Sequence, residues 1–237
     1  MTLLSGSFAS LSFRVLAKAR PKGRALCNLP YHGAVLSLLS SDPLLFVIVA
    51  VCLILSLTLH EWGHAYTADR LGDDTPRRFG RVTLNPAAHL DLFGAILLVV
   101  VGFGFAKPVP VNFARVGRWG GLAVAAAGPV MNIALALVSL LLLRFAAFDG
   151  LLQDVFSILF SLNLTLAIFN LLPIPLLDGS RIVAALFPRT LGRALFQFER
   201  LPYAFLIVLL FILLARDQIS RVIGSFQNLA FGLAGLS

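Results

Sequence analysis

An uncharged run of sixteen residues, Leu44–Leu59, leads without interruption into His60-Glu61-Trp62-Gly63-His64. This junction constrains the chain more than any other feature. A run of that length and composition reads as a membrane helix. If the helix continues through the motif to about Ala68, the two imidazoles lie about 6 Å apart on one face with a carboxylate beside them. Ionisable side chains deep in a bilayer cost roughly 2.5–3.5 kcal/mol each and default to a functional reading. A metal that takes the imidazoles as ligands offsets much of that cost. HExxH on a helix is the arrangement of a zinc hydrolase, and its position here implies peptide hydrolysis inside a membrane.

Composition agrees. Hydrophobic residues make up 59% of 237 positions, 13% are charged, and mean hydropathy is +0.92. Soluble domains average about 45–50% apolar and about 25% charged, so the chain reads as a polytopic membrane protein without room for a large soluble domain. A net charge of +8 would suggest nucleic acid in a soluble protein. Here the Lys and Arg residues flank apolar runs and set orientation, so no nucleic-acid partner is expected. Cys27 and Cys52 lie in different segments without zinc-ligand spacing, and a disulfide between them is not expected. The first 41 residues hold no acid, many serines and five bases from Arg14 to Arg24. That tail is compatible with an organellar transit peptide or with a start assigned too far upstream. The expected organisation is a tail over 1–42, a membrane core over 43–215 and a C-terminal segment, 216–237, of open placement.

The uncharged runs are Pro43–Leu59, Leu92–Ala106, Trp119–Leu143, Val155–Leu177 and Leu201–Ala215. The expected fold is all-α, with about four to six transmembrane helices. Leu92–Ala106 is the exception. Its 15 residues make only about 22 Å of helix, short of a core about 30 Å thick. Pro108 and Pro110 bias their predecessors to extended geometry. Leu92–Asn112 therefore reads as a re-entrant or β-like element after the HExxH helix, covered by protein or lining a cavity. Parity supports this, because only a non-spanning second run returns Asp178 to the side of His60 and His64. Eleven Lys/Arg fall in 70–118 and 178–200, so the positive-inside rule places the motif toward the cytoplasmic face of a cell membrane, or in an organellar membrane if the tail is a transit peptide.

A catalytic zinc needs three protein ligands and an open position. His60 and His64 supply two, and Asp178 is the best third. It closes Asn170-Leu171-Leu172-Pro173-Ile174-Pro175-Leu176-Leu177-Asp178-Gly179, where the prolines break the helix and Gly179 permits a tight turn. Glu61 is placed to act as general base. His89 is the rival ligand, although its loop and the nearby Asp91 favour a structural role. Asn132 reads as a helix-packing amide beside Gly128-Pro129, with a part in the site as the alternative, and Asn170 as a candidate to hold a carbonyl oxygen.

Together, His60-Glu61-Trp62-Gly63-His64, Gly128-Pro129-Val130-Met131-Asn132 and Asn170 to Gly179 resemble the site-2 protease family of intramembrane zinc metalloproteases. Gly80 to Asp91 and Gly104 to Asn112 resemble its short prokaryotic branch, which lacks an inserted PDZ domain. The resemblance covers about residues 43–190. It implies one Zn²⁺ held by His60, His64 and Asp178, Glu61 as the catalytic glutamate, Asn170 near the scissile peptide, and membrane-spanning protein substrates that must unwind locally. The contrasting readings are a non-proteolytic zinc-binding membrane protein, such as a transporter or pseudoprotease, and a membrane-anchored peptidase for soluble substrates. A transporter would need no base beside the ligands. The depth of the motif in an apolar run opposes the anchored peptidase. Substrate identity and oligomeric state are not legible.

Overall fold

The first long helix is set by its two ends. Asp42 caps it, accepting a hydrogen bond from the Leu45 amide at 3.0 Å, and Pro43 occupies the first turn, where no amide donor is needed. The helix α1, Pro43–Arg70, spans about 42 Å at 1.5 Å per residue and carries the HExxH motif through its last third. In this computed structural model the described residues are 42–91, 94, 106–146 and 148–235. The tail over 1–41 and most of Leu92–Phe105 lie outside them.

The other helices are α2 (Thr75–Arg78), α3 (Phe113–Phe145), α4 (Gly150–Leu171), α5 (Asp178–Leu186), α6 (Leu191–Glu199) and α7 (Ala204–Leu233). Among the described residues three helices, α1, α3 and α4, are long and apolar enough to cross a membrane. A fourth span arises if α6 and the first half of α7, bent by 108°, count as one. Three is one short of the four to six that the apolar runs suggested, and four meets the lower bound. The fifth run opens α7, which continues as helix through Arg216 to Leu233.

The run Val155–Leu177 does not stay helical. Helix α4 stops at Leu171, because Pro173 and Pro175 lack amide donors and disfavour helical geometry in their predecessors. Its polypeptide then turns through Leu176, whose φ of 73° lies in the left-handed region, a conformation uncommon for a leucine.

Apolar packing ties the spans together. Leu45, Val49 and Cys52 of α1 pack on Ile158 and Leu159 of α4. Ala136 of α3, Phe160 of α4 and Phe231 of α7 form a second cluster, with the two phenyl rings edge to face at 4.7 Å. Small residues let α1 and α3 cross closely: a Cβ on Gly63 would sit 2.8 Å from Met131 Cγ and 3.0 Å from the Ala127 carbonyl oxygen.

The second apolar run begins and ends at one place. Leu90 and Ala106 form an antiparallel bridge, and the Lys107 amide donates to the His89 carbonyl at 2.8 Å. Arg81, buried, donates to the carbonyls of Ala88 and Lys107 at 2.5 and 3.2 Å, spanning both flanks. The two flanks of this run therefore lie side by side. The extended conformation expected within Leu92–Phe105 falls outside the described residues. The exit is clamped by the buried Asp73, which accepts from the Asn112 amide at 2.6 Å and from the Thr75 amide and hydroxyl at 3.1 and 2.5 Å.

Candidate metal centre

Helical spacing brings His60 and His64 onto one face of α1, with their Nε2 atoms 3.1 Å apart. The chain then returns Asp178 to them across more than a hundred residues. Its Oδ2 lies 3.2 Å from His60 Nε2 and 3.3 Å from His64 Nε2. The three atoms thus form a nearly equilateral triangle. Ligands about 2.0–2.1 Å from a tetrahedral zinc stand about 3.3–3.4 Å from one another, so the triangle has the dimensions of one face of such a site. Asp178 Oδ2 is buried and receives no hydrogen bond, which is costly for a carboxylate unless a cation satisfies it. Among the described residues, these three side chains form the cluster able to hold a metal ion.

Each histidine is held from behind. Nδ1 of His64 lies 2.7 Å from the Val124 carbonyl oxygen. A carbonyl only accepts, so Nδ1 carries the proton and Nε2 keeps its lone pair toward the triangle. Nδ1 of His60 lies 2.5 Å from Oδ1 of the fully buried Asn132, and the same tautomer follows. Both partners come from α3, on either side of Gly128-Pro129. A Cβ on Gly128 would fall 2.3 Å from His64 Nε2 and 2.7 Å from His60 Nε2. The backbone of α3 is therefore one wall of the site, and only glycine leaves space for the imidazoles there.

The glycine after Asp178 has a different reason from the one its turn suggested. Gly179 does not need positive φ; that conformation falls on Leu176. Gly179 is instead required for close approach, because its Cβ would lie 2.3 Å from the carbonyl oxygens of Leu171 and Leu172. Helix α5 thus starts hard against the end of α4, and Asp178 occupies its first turn, where a carboxylate is favoured by the helix dipole. At the other end of α5, the Arg118 guanidinium donates to the carbonyls of Ala185 and Leu186 at 2.5 and 3.0 Å.

Glu61, next to His60 on α1, is buried at 9% exposure, which keeps its side chain out of bulk water. Asn170 sits on the last turn of α4, its amide donating to the Leu166 carbonyl at 3.0 Å. His89 stands apart from the cluster. It is fully buried, and its Nε2 donates to the Thr83 carbonyl at 2.8 Å. Asp91, read from the sequence as a partner for His89, accepts instead from the Gly94 amide at 2.8 Å. Sequence reasoning did not single out Asn163 and Ser56. Asn132 donates to Asn163 Oδ1 at 2.8 Å, and Asn163 donates to the Ser56 hydroxyl at 2.8 Å. An amide in the middle of an uncharged, membrane-length run was the available signal.

The model of the family described as Peptidase family M50 matches residues 48–155 and 146–214, a span that includes the whole ligand triangle. The chain belongs to peptidase family M50. Among curated proteins it is 45% identical over 172 residues to "Putative zinc metalloprotease YwhC" of Bacillus subtilis, a match covering 68% of this chain and 78% of that one. It is 37% identical over 175 residues to "Putative zinc metalloprotease Rip2" of Mycobacterium tuberculosis, covering 69% and 66%. "Zinc metalloprotease MJ0392" of Methanocaldococcus jannaschii is 24% identical over 152 residues, covering 64% and 38%. No solved structure matches. As an M50 peptidase the protein is a zinc metalloprotease, and its apolar helices make it a membrane protein. The donor set of two imidazoles and one carboxylate fits zinc and leaves a fourth tetrahedral position open.

Proposed function

We propose that this M50 peptidase hydrolyses peptide bonds within or near the transmembrane segments of other proteins. The observation that carries this reading is the convergence of His60, His64 and Asp178, with Glu61 buried beside them, on a helix whose preceding turns from Pro43 to Leu59 carry no charge. His60, His64 and Asp178 would hold the zinc through Nε2, Nε2 and Oδ2. The ion, when bound, supplies a Lewis acid that acidifies water and polarises a carbonyl. Glu61 takes the proton of the attacking water and passes it to the nitrogen of the departing peptide. Asn170, on the turn that leads to Asp178, would hold the scissile carbonyl as charge develops on its oxygen. The α3 wall at Gly128 excludes solvent from the ligand side.

A helical substrate hides its peptide groups in its own hydrogen bonds, so the cut segment must unwind. We read Leu92–Asn112 as the edge against which it is laid, adding as a strand with main-chain hydrogen bonds. The pairing of Leu90 with Ala106 at the root of this element supports that reading. The protein would cross the cell membrane several times with its site toward the cytoplasmic side. The eleven Lys/Arg of 70–118 and 178–200, Arg118 among them, support that orientation.

The test is purified protein with a panel of single-pass membrane substrates and Glu61→Gln as control. Cleavage by the native chain, lost in Glu61→Gln, is expected. Full cleavage by Glu61→Gln would end the assignment of the base. Cleavage of soluble peptides only would end the intramembrane reading. Helix-breaking Gly, Pro or Asn in the substrate span should speed the reaction relative to an Ala/Leu span.

A further inference from the structure

Behind His60 lies a chain of hydrogen bonds whose direction is fixed at its far end by the backbone. Asn163 Nδ2 is 2.8 Å from the Leu159 carbonyl oxygen, and the Ser56 hydroxyl is 2.6 Å from the Cys52 carbonyl oxygen. Both carbonyls can only accept. Asn163 must therefore present its amino group to Leu159 and its oxygen to the other side. The Ser56 proton goes to Cys52, which leaves Oγ to accept from Asn163 at 2.8 Å. Asn163 Oδ1 then receives Asn132 Nδ2 at 2.8 Å, and Asn132 Nδ2 also points at the Ser56 carbonyl oxygen at 3.4 Å. With its amino group so engaged, Asn132 has only its oxygen left for His60, 2.5 Å away. An oxygen there requires the proton on Nδ1 and the lone pair on Nε2.

Ser56, Asn132 and Asn163 are each fully buried, so no water competes to reverse the sequence. A flipped Asn132 would offer its amino group to Nδ1, move the proton to Nε2 and remove the lone pair with which that nitrogen faces the triangle. We infer that Ser56 and Asn163 are positioning residues that set the tautomer of His60 and so prepare it to bind zinc. The inference rests on His60 being a ligand. It extends the support of the metal centre to the middle of α4, a helix that supplies none of the proposed metal ligands, and to the α1 turn that precedes the motif.

The experiment measures zinc affinity by chelator competition on the full-length protein in lipid nanodiscs, alongside its thermal unfolding with zinc bound. Outer partners of zinc-ligating histidines carry about 10–100-fold in metal affinity, and Asn163→Leu should lose on that order. Asn163→Asp, as a neutral acid, keeps an oxygen toward Asn132 and a proton toward Leu159 or Ser56; it should stay within about threefold of the native affinity, on the same scale. Ser56→Ala should fall between, because Asn163 retains its bond to Leu159. If Asn163→Leu does not fold, Ser56→Ala against Asn163→Asp decides. Native affinity in Asn163→Leu and Ser56→Ala, with zinc lost in His60→Ala, would overturn the inference and leave the ligand set standing. Equal losses in Asn163→Leu and Asn163→Asp would also overturn it, since packing rather than direction would then be the cause. Native zinc binding by His60→Ala would instead remove the ligand reading itself.

Discussion

Helix α4 carries two buried amide clusters on nearly opposite faces, and they differ in one physical respect. On one face Asn163 joins Ser56 and Asn132 in a set where the donors and acceptors match in sequence, ending on His60. On the other, Ser161 and Thr165 accept from Gln227 of α7 at 3.0–3.1 Å, while the buried Gln227 Oε1 has no partner. Both clusters bring helices together inside an apolar region, where an unpaired polar group is expensive. Only the first transmits a direction. Burying amides is thus sufficient to attach a helix, but orienting a metal ligand requires that each lone pair and each proton in the path be assigned.

The largest effects should come from breaking the end of the first cluster that meets the metal. Asp178→Ala and His64→Ala should each lower zinc content, because each removes one of the three proposed ligands. Their loss of affinity should exceed the about 10–100-fold expected of outer partners. Zinc retained in Asp178→Ala but lost in His89→Ala would replace the ligand set. Glu61→Gln should keep zinc near one per chain and lose about 10²–10⁴-fold in cleavage rate, the usual contribution of a general base. Next comes Gly128→Ala. Its methyl would occupy space 2.3 Å from His64 Nε2, so zinc affinity should fall although no polar group is altered. Native zinc binding there would mean that α3 can withdraw from the imidazoles.

These residues were legible in the sequence to very different degrees. His60, Glu61 and His64 announce themselves by spacing, and Asp178 by the proline-broken end of an apolar run. That the second run should return to its starting side was an expectation from its length, because a 15-residue helix cannot reach across a bilayer, and the pairing of Leu90 with Ala106 sets its two flanks side by side. Asn132 could be read as helix packing or as part of the site, and its side chain bonds to both His60 and Asn163. Asn163 was hidden because hydrogen-bond direction has no periodicity. An asparagine in an apolar helix looks the same whether it glues helices or sets a tautomer. The left-handed Leu176 was equally hidden, since its conformation is imposed by where Asp178 and Gly179 must arrive, not by its own preference.

A polar cluster outside the apolar region tests whether satisfaction of hydrogen bonds alone accounts for stability. Burial pushes the Asp73 carboxyl up, but hydrogen bonds from Thr75 and the Asn112 amide outweigh it and hold the group below the ordinary carboxylate range. A group depressed in the folded state stabilises above its unfolded pKa, about 3.9, and that stability is lost as pH falls through the lower folded value. Asp73→Ala should therefore destabilise the protein by about 1–3 kcal/mol near neutrality, and the difference from the native chain should shrink in acid. A pH-independent difference in unfolding temperature would show that the carboxylate charge is not what holds residue 112.

The smallest effect belongs to the second amide cluster, and it bears most directly on the contrast between the two faces of α4. Gln227→Met removes the two amide protons that reach the Ser161 carbonyl oxygen, Ser161 Oγ and Thr165 Oγ1, yet it also removes the unpartnered Oε1. Interhelical hydrogen bonds in membrane proteins average about 0.6 kcal/mol, reaching about 1.7, while a buried acceptor without a partner costs about 1–3 kcal/mol. The two terms oppose each other and are of similar size. Ser161 and Thr165 can turn their hydroxyls to carbonyls of their own helix, so no orphan is left behind. Unfolding temperature should therefore change little, by the equivalent of about 1 kcal/mol or less. Zinc affinity should not change at all, because no path of assigned protons leads from Gln227 to the ligands. A loss of zinc affinity in Gln227→Met comparable with that in Asn163→Leu would erase the distinction. It would mean that α4 acts on the site through its position as a rigid body, and that the direction of the bonds behind His60 is incidental.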